Sequence, residues 1–356
     1  MAKVQLTVPT NVAHVSQIIT GFLALREQGW DVEIVDRSRD AANPFHGLPI
    51  VIANVHERGT LIYDVWDGYQ APDAMERCLN ACDFYFKRSF SAEKNALLFP
   101  GQKEKMYPLG FNYHVTHRDN PIAEPGWKAF LKPLLGRTPD RYFTPEVFEG
   151  KAARKEGRPV KILFLTRLWD DREPGFSEEE LAERTYINNM RIEIIRTLRE
   201  RYGVDFVGGL NDSDLSRKWA PDLIMPAKYT ERRKYLKLLH ESDICIGSMG
   251  LFESIGWKTG EYVAAAKAIV NEHFHYSVPG GFREGKHYLG FGTAGKCLEA
   301  VRLLVEDPEK RYDMQCKNEQ YYQAYLKPDK LVKNAIDMMD RKLAEEKAQN
   351  ILKKGK

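Results

Sequence analysis

The stretch from Asp243 to Val270 constrains the chain most, because its pattern fits a strand, a glycine-bearing loop, a helix and a second strand. Asp243-Ile244-Cys245-Ile246-Gly247-Ser248 is a short apolar run. The loop carries Gly250 and Gly256, and Thr259 reads as the N-cap of the helix that follows. Two carboxylates stand eight positions apart here, Glu253 just past the strand and Glu261 in the first helical turn. In an open α/β sheet, ligands occupy the crevice beyond the strand C-termini, where both side chains would project.

Similar units recur on either side. Lys3 to Val8 is a strand, His14 to Gln28 a helix with Val15, Ile18, Ile19, Phe22, Leu23 and Leu25 apolar, and Asp31 to Val35 a strand. No G-x-G-x-x-G fingerprint lies between them, which argues against a dinucleotide site there. Further strands are expected at Leu48–Ile52, Thr60–Tyr63, Phe84–Phe86 and Met106–Phe111. Clear periodicity fades from Asn120 to Pro159, and Gly150–Pro159 is the best linker. A second series then runs through a strand at Val160–Leu165, a helix near Asn188–Tyr202, a strand at Val204–Val207 ending in Gly208-Gly209, and a helix at Arg232–Glu241.

At 356 residues the chain exceeds one ordinary core. The expected fold class is α/β, with two Rossmann-like doubly wound domains facing a central cleft. Residues 1–155 form the first domain and 156–328 the second, and a C-terminal helix over 329–356 packs back toward the first.

Composition narrows the partners. A net charge of +3 suits phosphate-bearing ligands and allows a weak peripheral contact with an anionic membrane, but it is no nucleic-acid signature. Five scattered cysteines and no apolar run of membrane-spanning length point to the cytoplasm, with free thiols rather than a zinc site.

Arg167 and Arg172 flank the loop after the strand at Ile162–Leu165, where two guanidinium groups can clamp a diphosphate; the alternative is pairing with Asp170, Asp171 and Glu173. Backbone amides near Gly256, and the helix N-terminus beyond Thr259, offer N–H groups to a sugar or an anion. In the first domain, Asn11 and His14 follow the first strand, and His14 reads equally as a ligand contact or as an ordinary helix-start residue. Asp64 and Asp67, with Trp66 and Tyr69, form either a loop with partly buried aromatics or an acceptor-binding wall.

Taken together, Glu253 through Glu261, Thr166-Arg167-Leu168, Gly280-Gly281-Phe282-Arg283-Glu284 and Glu306-Asp307-Pro308-Glu309-Lys310-Arg311 resemble the nucleotide-sugar domain of retaining GT-B glycosyltransferases, the group with an E-x7-E motif. The resemblance covers roughly residues 160 to 325 and is only architectural in the first half. It departs at Ser254-Ile255 after the first glutamate, at Tyr262-Val263 in the helix, and at Thr166 and Arg172, where the family has glycine and lysine.

The resemblance implies a polysaccharide-biosynthesis transferase that moves a hexose from a nucleotide-diphosphate-sugar to a glycan or lipid-linked acceptor, with retention and without metal or other cofactor. Glu253 and the two arginines would be catalytic. Glu261 would hold the ribose, and Gly256, Trp257, Lys258, Thr259 and Gly209 would line the donor site. Asn11, His14, Asp64 and Asp67 are the acceptor-side candidates. A nucleotide-sugar epimerase of the same architecture and a non-catalytic nucleotide- or sugar-binding module are the competing readings.

Overall fold

A computed structural model describes residues 3–123, 138–155, 157–170 and 175–354. The N-terminal domain is built on a six-stranded sheet in the order β2-β1-β3-β4-β5-β6, comprising β1 (Lys3–Val8), β2 (Asp31–Asp36), β3 (Ile50–Val55), β4 (Gly59–Asp64), β5 (Phe84–Lys87) and β6 (Met106–Pro108). Strand β1 alternates, burying Val4, Leu6 and Val8, whereas β5 is buried at every position. Helices α1 (Ser16–Glu27), α2 (Pro72–Asn80) and α3 (Ala92–Leu98) connect the strands.

This sheet is mixed rather than wholly parallel. Strand β3 runs antiparallel to both β1 and β4, so β3 and β4 form a hairpin. A turn through Glu57 at φ 61° and Gly59 at φ 138° reverses the chain, leaving no room for a crossover helix.

The C-terminal domain carries a wholly parallel sheet in the order β11-β10-β9-β7-β8. Its strands are β7 (Ile162–Thr166), β8 (Phe206–Leu210), β9 (Ile244–Gly247), β10 (Ala268–Glu272) and β11 (Leu289–Phe291). Strands β9 and β10 are buried throughout, as a parallel sheet covered on both faces requires. Around it lie α4 (Glu178–Tyr202), α5 (Arg232–Glu241), α6 (Trp257–Ala264), α7 (Ala294–Glu306) and α8 (Pro308–Tyr321). Helix α4 starts ten residues before the expected Asn188 because Ser177 and Glu180 form a reciprocal capping box.

The order of connections reverses between β7 and β9, and the loops after these two strands open onto a cleft toward the N-terminal domain. A long helix, α9 (Pro328–Lys354), lies against α1 of the N-terminal domain. The helices approach closely because Gly21 has no side chain: a Cβ there would overlap the Pro328 carbonyl. Gln28 and Asp329 are hydrogen-bonded at 3.1 Å, and Arg58 pairs with Asp340 at 2.8 Å.

Candidate active site

The cleft encloses about 630 Å³. Its C-terminal wall comes from the ends of β7 and β9, from the loop Gly250–Gly256, and from the faces of α5 and α6. Its N-terminal wall comes from His14, Asp67 and Arg88.

Glu261 is the anchoring carboxylate. It is only 4% exposed, and the Tyr235 hydroxyl donates to its Oε2 at 2.7 Å while Arg232 Nη2 lies 3.4 Å from Oε1. Burial raises the Tyr235 phenol well above its usual range, so it remains a donor to the carboxylate. The local structure differs from expectation in one respect. Helix α6 begins at Trp257 with Gly256 as N-cap, so Thr259 is an interior helical residue and Glu261 lies in the second turn. Thr259 instead donates its hydroxyl to Asn271 at 3.0 Å. The glycine cap contributes no side-chain acceptor, which leaves the first amides of α6 facing the cleft.

Cations dominate the lining: Arg88, Arg167, Arg191, Arg232 and Lys258 stand against the two carboxylates Asp67 and Glu261. Arg167 has no carboxylate within ion-pair distance among the described residues, and its guanidinium lies 4.0 Å from the Trp169 ring centre. Arg172 lies outside the described residues. Lys258 packs its ammonium 3.9 Å from the Tyr235 ring centre, and burial lowers its pKa.

Arg191, Arg88 and Tyr235 escaped the sequence reading. Arg191 projects from α4 and donates to Ser248 Oγ at 2.9 Å and to the carbonyls of Arg167 at 2.6 Å and Met249 at 2.9 Å. It therefore ties the β7 loop to the β9 loop, and burial brings its pKa down to about 10. Arg88 follows β5, pairs with Asp67, and donates across the domain boundary to the Ile255 carbonyl at 2.6 Å. A basic residue just past a strand end was the available signal for Arg88, since the same logic selected Arg167.

Glu253 is placed unexpectedly. Phe252 and Glu253 both adopt left-handed backbone conformations, φ 58° and 59°, which cost a non-glycine residue energy and cluster at functional sites. The Glu253 carboxylate is not part of the cleft lining. It meets Lys94 of α3 at 3.2 Å and His275 at 3.4 Å. Glu253 and Glu261 share a motif without sharing a pocket wall.

The remaining candidates separate clearly. His14 lines the cleft with its ring 4.3 Å from that of Trp257, and burial, aided by Arg88, lowers its pKa to about 4. Asp67 also lines it, but Asp64 is fully buried between Lys87 at 2.8 Å and the Tyr85 hydroxyl at 2.7 Å, so it is a structural ion pair and no acceptor contact. Asn11 is exposed and outside the lining. Gly209 is a packing residue, because a Cβ there would lie 2.6 Å from the Leu223 carbonyl oxygen; it does not face the cleft. Gly280 and Gly281, at φ 76° and 67°, shape a turn outside the lining.

Among the described residues no group of three or more His, Cys, Asp or Glu is placed to hold a metal ion, and no helix is long and apolar enough to cross a membrane.

Two α/β domains facing one cleft, with the second sheet parallel and the last helix returning to the first domain, define the GT-B architecture. No protein-family model matches the chain, and no curated protein matches it. Solved structures do. Alr3699/HepE from Anabaena in complex with UDP-glucose is 10% identical with TM-score 0.46, covering 96% of this chain and 100% of that one. Sucrose-phosphate synthase from Thermosynechococcus elongatus is 12% identical with TM-score 0.37, covering 92% of each. The C-terminal domain of a glycosyl transferase group 1 family protein, LpcC, from Francisella tularensis is 11% identical with TM-score 0.34, covering 50% of this chain and 95% of that domain. Likeness at this level says nothing of substrate or mechanism, which rest on the chain's own residues.

Proposed function

We propose that the protein is a glycosyltransferase that moves a sugar from a nucleoside-diphosphate-sugar to a hydroxyl of a glycan or lipid-linked acceptor. The observation that carries this reading is the buried Glu261 carboxylate, held by Tyr235 and Arg232 in a cleft where cationic side chains outnumber carboxylates. Ribose hydroxyls are neutral donors that suit a fixed carboxylate, and the surrounding positive charge suits a diphosphate.

In this reading Glu261 accepts from the ribose, Arg167 and the first amides of α6 face the diphosphate, and Arg172 shares the diphosphate-binding role that the sequence suggests for it. Arg191 keeps the two phosphate-facing loops in register. Gly256, Trp257 and Lys258 border the sugar. Transfer proceeds with retention: the acceptor oxygen bonds to the anomeric carbon on the face from which the phosphate oxygen departs. That phosphate oxygen takes the acceptor's proton, and the nucleoside diphosphate leaves. The arginines stabilise the charge that grows on the leaving group. No metal ion is assigned a role. His14 and Asp67 are the acceptor-side groups, and closing the cleft excludes water.

Incubation with UDP-, GDP-, dTDP-, ADP- and CMP-sugars, with and without glycan acceptors, tests the reading. Transfer to an acceptor supports it. Conversion of a donor to its epimer without acceptor would identify an epimerase. Binding without transfer, hydrolysis or epimerisation would leave a binding module.

A further inference from the structure

Among the described residues five lysine and arginine side chains line the cleft, and three of them are already engaged. Arg88 holds Asp67 and the Ile255 carbonyl, Arg191 ties the two loops together, and Arg232 donates to the His114 carbonyl and faces Glu261. The charged groups of Arg167 and Lys258 make no hydrogen bond or ion pair among the described residues. These two stand on different elements, Arg167 just past β7 and Lys258 in the first turn of α6.

Lys258 is half-buried, and its ammonium rests 3.9 Å from the Tyr235 ring centre. Nζ nevertheless keeps accessible surface, in a residue that lines the cleft. Lys258 and Glu261 are three residues apart and so share one face of α6, and Tyr235 touches both. The ammonium is thereby fixed beside the carboxylate assigned to the ribose, while the Lys258 amide stays with the turn that borders the sugar. An ammonium drawn partly out of water without an ionic partner is costly, and burial accordingly lowers its pKa. The aromatic face recovers part of that cost, and an anion bound against Nζ would remove it.

In a nucleoside-diphosphate-sugar each phosphate carries one negative charge, and the phosphate bonded to the ribose is the anionic group nearest the ribose hydroxyls. A lysine meets a single phosphate as a point charge, whereas an arginine fork suits the spread oxygens of the departing one. We propose that Lys258 is a specificity-determining residue of the donor site: its ammonium binds the α-phosphate, the one bonded to the ribose, and leaves the β-phosphate to Arg167. The inference rests on the nucleoside-diphosphate-sugar reading above. A nucleoside monophosphate then already fills both the Glu261 and the Lys258 contacts.

Calorimetry on the full chain tests this. A panel of nucleoside diphosphates first selects the tightest, which is then compared with its monophosphate and its nucleoside. In Lys258→Met the monophosphate and the diphosphate should weaken by the same factor, about tenfold or more, as loss of a charge-assisted bond implies. The nucleoside should keep its affinity, and the melting temperature should stay close to that of the unaltered protein. In Arg167→Ala the diphosphate should weaken more than the monophosphate. A folded Lys258→Met protein that binds the monophosphate as the parent does, or that loses the nucleoside by the same factor, would overturn the proposal. A crystal structure of the unaltered protein with the selected diphosphate needs no variant. An α-phosphate oxygen within hydrogen-bonding reach of Nζ supports the proposal, and an ammonium left without a phosphate contact contradicts it. If no nucleoside diphosphate binds the unaltered protein at all, the reading of the cleft fails, and this inference with it.

Discussion

The Tyr235 hydroxyl and the Glu261 carboxylate meet at 2.7 Å inside the cleft, one from the buried face of α5 and the other from the second turn of α6. Two helices that are separate in sequence are thereby locked around one acceptor group. Removing the hydroxyl leaves a buried oxygen short of a donor, at a cost of about 1–3 kcal/mol. Tyr235→Phe should therefore weaken nucleoside diphosphate binding by roughly 5- to 150-fold. Titration calorimetry measures this, and unchanged affinity would mean that the phenol does not orient the carboxylate.

Lys94 and Glu253 join the domains on the other side of the left-handed turn. Both side chains are about two-fifths exposed, at 42% and 41%, so the pair should contribute no more than about 1 kcal/mol to stability. Lys94→Met should leave the melting temperature nearly unchanged. Because Glu253 lies outside the cleft lining, kcat and KM of the variant should stay close to those of the parent. A kcat lowered several-fold with the fold intact would bring the pair into the reaction.

Gly21 allows α1 and α9 to touch. A methyl group there meets backbone rather than a yielding side chain, so Gly21→Ala should destabilise by about 1–3 kcal/mol or more despite the better helix propensity of alanine. A chemical-denaturation midpoint at or above that of the parent would show that the helices part without cost.

His14 carries a pH signature. Its pKa falls from 6.5 to about 4 on folding, mainly through burial and then through Arg88. The unfolded chain thus binds the extra proton first, so stability is greatest above pH 6.5 and declines as pH drops toward about 4. His287 shifts the same way, and its contribution remains when His14 alone is replaced. Denaturation of His14→Gln between these pH values should show a shallower decline than the parent, and parallel curves would contradict the assignment.

Much of the frame was legible in the sequence because it depends on local pattern. Strand β1 at Lys3–Val8 and helix α5 at Arg232–Glu241 lie where periodicity and flanking residues place them. The hairpin of β3 and β4 was not legible, since alternation identifies a strand without giving its direction. At the site, Glu261, Arg167 and His14 could be selected as polar residues near strand ends or helix starts. Arg191 and Tyr235 could not, because each sits on an apolar helical face and acts through partners distant in sequence. Asp64 misled for the opposite reason: its position at a strand end is right for a ligand contact, but Lys87 and Tyr85 on the adjacent strand claim it. The orientation of Glu253 depends on two left-handed residues in succession, which no residue type in that loop announces.

The most direct test of the central claim is calorimetric titration of the selected nucleoside diphosphate and its nucleoside into the parent protein and Glu261→Ala. If the ribose rests on Glu261, the variant loses affinity for both ligands, by about tenfold or more, since hydrogen bonds to a charged group are each worth about 1.5–3 kcal/mol. Parent-like binding of both ligands by a folded Glu261→Ala protein would contradict the account.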